Sequence, residues 1–179
     1  MSHCSCPALL LGAVMFSLAA CGTGEQASNG APEANKASGV DLNFVGRAPA
    51  YNIDMIASSQ LAQTKATDSD IRDLAARIIQ TDTDIDRQLT TLAQTEGLFL
   101  PSGMDQKHQA RLVQIQSTNG PAFNRAWLDQ ALPDQTMAIE AFQAEADKGT
   151  YPPFRNLAEQ SLPAMLQNLQ TTQQLSANR

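Results

Sequence analysis

The sequence predicts an all-α fold: an antiparallel up-down-up-down four-helix bundle with a short extra helix between the second and third long helices. Between residues 69 and 97, apolar residues recur mostly at spacings of three and four, which places them on one helix face. Aromatic residues make up 5% of the chain and charged residues 17%, as in helices that pack through small and aliphatic side chains. Short connections between long helices make neighbours antiparallel.

Turn and capping residues divide the chain after Asp41 into helical segments. Gly97 and Gly149 suit helix ends, and residues 67–69 form a tight connection that can cap the second long helix. The first expected segment is a short helical turn over 41–47. Four long helices are expected over about 50–66, which Pro49 opens, from 69 to the stop at Gly97, over 121–148 and over about 152–175. A lesser helix over about 103–117 lies between the second and third long helices.

Two prolines fall inside long helices, Pro133 in the third and Pro163 in the fourth. Each lacks the N–H for an i→i−4 hydrogen bond and its ring crowds the preceding turn, so we expect a kink at both positions. For the third helix, the sequence equally allows a break into two pieces at Pro133.

The first 40 residues have the pattern of an export leader and a tether. Residues 8–20 form an apolar run that is too short to cross a bilayer but has the length of a signal-peptide core. The run ends in Leu18-Ala19-Ala20-Cys21-Gly22, which resembles the lipobox of bacterial lipoproteins. This resemblance implies cleavage before Cys21 and lipid on its sulfur. We therefore expect a signal peptide over 1–20, a flexible tether over 21–40 and a bundle domain over 41–179.

The lipobox resemblance also implies a location. Gly22, rather than Asp, follows the cysteine, which in proteobacteria implies sorting to the outer membrane, with the domain facing the periplasm. Residues 1–7 contain no Lys or Arg, so either the true start lies elsewhere or the terminal amine alone supplies the positive charge. The alternative interpretation is a secretory leader with a chance cysteine.

Composition and charge exclude several classes of function. The net charge of −6 provides no basic surface for nucleic acid. The three cysteines, Cys4, Cys6 and Cys21, all lie in the leader region, and His108 is the only histidine beyond it. Ser-His-Asp, Cys-His and zinc-hydrolase mechanisms therefore lack their parts, and we expect a protein that is not an enzyme and has no cofactor.

Each long helix carries one polar residue that interrupts its apolar stripe: Asp54, Asp82, Gln135 and Asn168. In an antiparallel hairpin, two residues are level when they are equally far from the turn. Asp54 and Asp82 are each about 14 residues from position 68, and the other neighbouring pairs are as symmetric about their own turns. The sequence therefore predicts that the four side chains form one polar layer inside the bundle.

This layer has three interpretations. The first is a hydrogen-bonded structural layer that fixes helix register, with one aspartate protonated. The second is a weak or vestigial site for a ligand or a hard cation such as Ca²⁺ or Mg²⁺, since the layer offers oxygen ligands and no Glu-x-x-His pair. The third is chance, with some members exposed. No residue is assigned as a metal ligand.

The other residues of chemical interest have structural interpretations. We expect His108 on the surface of the short helix, Asp84 and Asp86 on a solvated face, Phe123 and Trp127 in the core, and Phe99 as a lid over one end of the bundle.

The chain resembles the bacterial "domain of unknown function 4142" family over about 41–175. The resemblance rests on Asp41-Leu42-Asn43-Phe44-Val45, Leu74-Ala75-Ala76-Arg77-Ile78-Ile79, Gly97-Leu98-Phe99-Leu100-Pro101, Phe123…Trp127-Leu128-Asp129-Gln130, Phe142-Gln143-Ala144-Glu145-Ala146 and Leu162-Pro163. It implies a ferritin-like bundle of an exported or lipid-anchored envelope protein. Family members typically carry Glu on the first helix and His on the other three at the positions of Asp54, Asp82, Gln135 and Asn168, so this chain resembles a degenerate member.

The sequence thus favours a non-enzymatic lipoprotein that acts as a structural or interaction module of the bacterial envelope. Its expected partners are the membrane, through the lipid at Cys21, and an unidentified envelope protein. The alternative function is binding of a small ligand or cation by Asp54 and Asp82. The oligomeric state is left open.

Overall fold

The structure, a computed structural model, describes residues 37, 39–104 and 106–178. The signal peptide, Cys21 and nearly all of the tether lie outside this range. The helices of the described chain are α1 (Gly39–Lys65), α2 (Ser69–Thr95), α3 (Gln106–Gln116), α4 (Gly120–Lys148) and α5 (Pro152–Ala177). Both α1 and α5 pack against α2 and α4, and α3 is the short extra helix. The all-α bundle is confirmed. None of these helices combines the length and the apolar character that crossing a membrane requires.

The connections at both ends of α2 follow the expected capping chemistry. The Asp68 carboxylate accepts a hydrogen bond of 2.8 Å from the Asp70 N–H, which caps the start of the helix. At the other end, Gly97 has φ of +65°, a conformation that favours glycine, and the Leu98 N–H donates to the Ala93 carbonyl at 2.8 Å. Residues with local signals thus set both helix ends.

Pro49 and Pro133 lie inside helices that continue through them. α1 is one helix from Gly39 to Lys65 with Pro49 inside it, so the prediction of a separate turn over 41–47 is wrong. Helix α4 runs unbroken through Pro133, which decides against the two-piece alternative. Packing explains the continuity of α1, because Phe44, Val45 and Ala48 before the proline are all buried in the core.

The core consists of two clusters, one toward each end of the bundle. The first contains an aromatic group in which the rings of Phe44 and Phe142 meet edge to face at 4.9 Å. The second surrounds Phe123 and Trp127, which are both fully buried, so their assignment to the core is confirmed.

The prediction that Phe99 covers one end of the bundle is wrong, because its side chain is 89% exposed. Its neighbours Leu98 and Leu100 pack against the first cluster instead. The segment thus buries its leucines against the core and leaves the phenylalanine in solvent.

Candidate functional site: the polar layer of the bundle

All four residues of the predicted layer are buried, with exposed fractions between 3% and 7%. Asp82, Gln135 and Asn168 line one cavity of about 20 Å³ between the helices. The polar residue that α1 contributes to this cavity is Asn52, and Asp54 is not among the lining residues.

Asp54 lies instead against α3, where its Oδ2 is 3.0 Å from Nδ1 of His108. The His108 side chain is only 12% exposed, so its expected position on the surface is wrong. Two residues that are two positions apart on a helix are related by a rotation of about 200° about the helix axis, so their side chains point to nearly opposite sides. Asn52 therefore faces the bundle interior, while α3 covers the side of α1 that carries Asp54.

An ion pair between Arg111 and Asp134 also holds α3 to the bundle. One guanidinium nitrogen of Arg111 contacts both carboxylate oxygens of Asp134 on α4, at 2.7 and 2.8 Å. The Asp134 side chain is 4% exposed and that of Arg111 25%. Because a buried carboxylate is costly without a partner, α3 is required to neutralise the face of α4 that it covers.

Burial shifts the carboxyl group of Asp82 toward its protonated form at neutral pH. Burial raises the pKa of Asp82 from its ordinary value of 3.8 to about 8. Within the described part of the chain, its neighbours in the cavity are amide side chains, apolar side chains and Tyr51, and none of them is cationic. The acid that lines the cavity is therefore predominantly neutral.

Two side-chain hydrogen bonds tie the amides of the layer to neighbouring threonines. Oε1 of Gln135 is 3.1 Å from the Thr172 hydroxyl, and Nδ2 of Asn168 is 3.4 Å from the hydroxyl of Thr81. These contacts join α4 to α5 and α5 to α2, so part of the layer links helices directly.

A different polar cluster joins α1 to the turn between α4 and α5. The Asp41 carboxylate accepts hydrogen bonds from the Thr150 and Tyr151 N–H groups at 3.1 and 2.9 Å, and from the Thr150 hydroxyl at 2.8 Å. These N–H groups precede the first turn of α5, so Asp41 supplies from another helix the negative charge that a helix N-terminus favours.

Glu145, which is fully buried, completes this cluster. Burial, followed by the hydrogen bond and the negative charge of Asp41, raises the pKa of Glu145 to about 8, although Arg155 opposes the rise. Glu145 is therefore protonated at neutral pH, and the two acids share one negative charge. Close packing around them requires Gly149, since a Cβ there would lie 2.7 Å from Cδ of Glu145.

We expect Gly149→Ala to lower the free energy of unfolding by about 1–3 kcal/mol, because the added methyl overpacks the Glu145 carboxyl. The φ of −60° at Gly149 is open to alanine, so the cost is steric. The matched control is Gly46→Ala on the exposed side of α1, where a Cβ meets nothing within 4 Å. Gly46→Ala should leave the free energy of unfolding unchanged or raise it by up to about 1 kcal/mol. Urea denaturation of both variants measures the difference, and equal stabilities would contradict the close approach.

A family model described as "Domain of unknown function (DUF4142)" matches residues 26–175. The chain belongs to the DUF4142 family. The match confirms the resemblance and begins upstream of Asp41, inside the predicted tether. A solved structure, "Crystal structure of DUF305 fragment from Deinococcus radiodurans", is similar to this DUF4142 chain with a TM-score of 0.71 and 14% identity. The similarity covers 80% of this chain and 99% of that one, and at this identity it concerns the fold alone. No curated protein matches the sequence.

Several residues of this DUF4142 site carry no decisive sequence signal. Asn52 lies outside the predicted stripe, and His108 lies in a short polar helix whose buried side has no clear periodicity. Asp41 and Glu145 come together across more than a hundred residues. Gly149 was identifiable as a helix end, and only its contact with Glu145 shows why the space there is restricted.

Proposed function

We propose that this DUF4142 protein is a non-enzymatic, lipid-anchored module of the bacterial envelope. In this proposal, Cys21 carries the lipid, the tether predicted over 21–40 leads from it to the bundle and overlaps the first two residues of α1, and the bundle faces the periplasm from the outer membrane. It acts there through contacts with another envelope protein.

The observation that carries the non-enzymatic part of the proposal is the size of the cavity in the polar layer. Its volume of about 20 Å³ suits one water molecule and is too small for an organic substrate. The other buried polar groups described above join helices: Asp54 with His108 links α1 to α3, and Arg111 with Asp134 links α3 to α4. These contacts support a structural role for the polar residues of the interior.

The alternative function, binding of a cation or small ligand by Asp54 and Asp82, requires both carboxylates at one site. Asp54 contacts His108 and is not part of the cavity lining. The remaining acid of the cavity, Asp82, is held in its protonated form by burial at neutral pH. No specific observation favours this alternative over the structural role.

The lipid anchor is tested by Cys21→Ser in the full chain. We expect the unaltered protein to incorporate labelled fatty acid and to sediment with outer membranes, because several acyl chains give stable anchoring. Without the acceptor sulfur, the variant should carry no lipid and should not be cleaved before position 21. Equal labelling and equal sedimentation of both proteins would contradict the proposal.

Gly22→Asp is the companion variant, since it leaves Cys21 in place. We expect it to be lipidated like the unaltered protein but to fractionate with the inner membrane in a proteobacterial host. This result would separate the anchoring step from the sorting step. An unchanged outer-membrane location would overturn the sorting assignment alone.

A further inference from the structure

The cavity in the polar layer lies among α1, α2, α4 and α5 and contains buried polar atoms that the protein leaves unpaired. Nδ2 of Asn52 and Nε2 of Gln135 have no hydrogen-bond partner within the described part of the chain. Their residues are 2% and 6% exposed. A buried donor without a partner is costly, so the arrangement indicates a bound group that can pair with both amides.

The hydrogen atoms around Gln135 limit what this group can be. The Thr172 hydroxyl has one proton, yet it lies 3.1 Å from Oε1 of Gln135 and 2.9 Å from the Asn168 carbonyl. If the proton points to the carbonyl, the Gln135 amide can turn around and donate its N–H to Thr172, and its oxygen then becomes the unpaired atom. In both orientations, one polar atom of the amide is left without a protein partner.

We propose that this cavity binds one water molecule, which bridges Asn52 on α1, Asp82 on α2 and Gln135 on α4. Water both donates and accepts, so it satisfies either orientation of the Gln135 amide. A metal cation would require oxygen atoms on all sides and an ionised Asp82, and an anion would require donors alone. The volume of about 20 Å³ exceeds the roughly 10–15 Å³ that one water needs and excludes a larger molecule.

This water site belongs to the structural interpretation of the layer but does not depend on the lipid anchor. The water adds a further polar group to the four protein side chains around the cavity, Asn52, Asp82, Gln135 and Asn168. Burial raises the pKa of Asp82 to about 8, so at neutral pH the carboxyl can donate to the water as well as accept from it.

The test uses magnetisation transfer from water to the side-chain amides of the full-length protein in detergent, recorded by NMR with ¹⁵N-labelled Asn and Gln. We expect cross-peaks from a long-lived water to the side chains of Asn52 and Gln135. Asp82→Leu should abolish the Asn52 cross-peak, because the larger apolar side chain fills the cavity. The matched control, Gln130→Leu, removes another buried amide of α4 that does not line the cavity, and should leave the cross-peak intact.

The unaltered protein decides the question even if Asp82→Leu does not fold. Absence of the water cross-peaks in it would overturn the proposal. So would stoichiometric metal in the purified protein, or a shift of the Asn52 and Gln135 amide resonances on addition of Mg²⁺, Ca²⁺, Mn²⁺ or Fe²⁺. Loss of the Asn52 cross-peak in Gln130→Leu would also count against it, because that variant leaves the lining of the cavity unchanged.

Discussion

The free energy of unfolding is expected to fall as the pH rises from about 4 to about 8, with a slope on the order of 1 kcal/mol per pH unit at most for each of two buried carboxyls. Burial raises the pKa of Asp82 from 3.8 to about 8. Burial and the neighbouring Asp41 raise that of Glu145 from 4.5 to about 8. Over this interval the folded protein keeps protons that the unfolded chain has lost, so each rise in pH favours unfolding. The contribution is complete below about pH 4 and gone above about pH 8.

Urea denaturation between pH 5 and 8, followed by the fluorescence of Trp127, measures this slope. Trp127 is the only tryptophan of the chain and is fully buried. Asp82→Asn keeps the size of the side chain and cannot titrate, so we expect the slope to fall by about half. Asp84→Asn removes an exposed carboxyl from the same helix and is the matched control for loss of one acid. A stability that rises with pH over this interval, or equal changes in both variants, would contradict the assignment.

Arg111→Ala is expected to destabilise the protein by about 3 kcal/mol, because it leaves the Asp134 carboxylate buried without its partner. This is a large part of the roughly 5–15 kcal/mol that stabilises an ordinary domain. The value lies at the low end of the range for broken buried pairs, since a quarter of the Arg111 side chain is already exposed. Thermal unfolding and urea denaturation both report the change.

Two companion variants identify the cause of this loss. Arg87→Ala breaks another Arg–Asp pair, the exposed one that Arg87 forms with Asp84 at 2.8 Å. It should lower the free energy of unfolding by less than about 1 kcal/mol. Replacing both partners, Arg111→Met with Asp134→Leu, should recover most of the stability, because neither charge is then left buried. If the double variant is as unstable as Arg111→Ala, the loss comes from the packing of α3 rather than from the uncompensated charge.

The convergence of three of the four predicted layer residues was predictable, whereas the direction of Asp54 was not. Counting from the turns predicted the level of Asp82, Gln135 and Asn168, which line one cavity. Counting residues from the turns cannot decide which side of a helix faces the bundle interior when an additional helix covers another of its sides. Helix α3 does this to α1, so Asp54 meets His108 and Asn52 faces the cavity.

The sequence by itself determined the long helices, most of their ends and the core positions of Phe123 and Trp127. These depend on interactions within a few positions, such as the capping of α2 by Asp68 or the positive φ of Gly97, and on the 3.6-residue period of burial. Only the tertiary structure decided the contacts of Asp54 with His108, Arg111 with Asp134 and Asp41 with the α4–α5 turn. Local pattern carries no information about these pairs, because their partners lie on different elements and only the packing of the helices brings them within hydrogen-bonding distance.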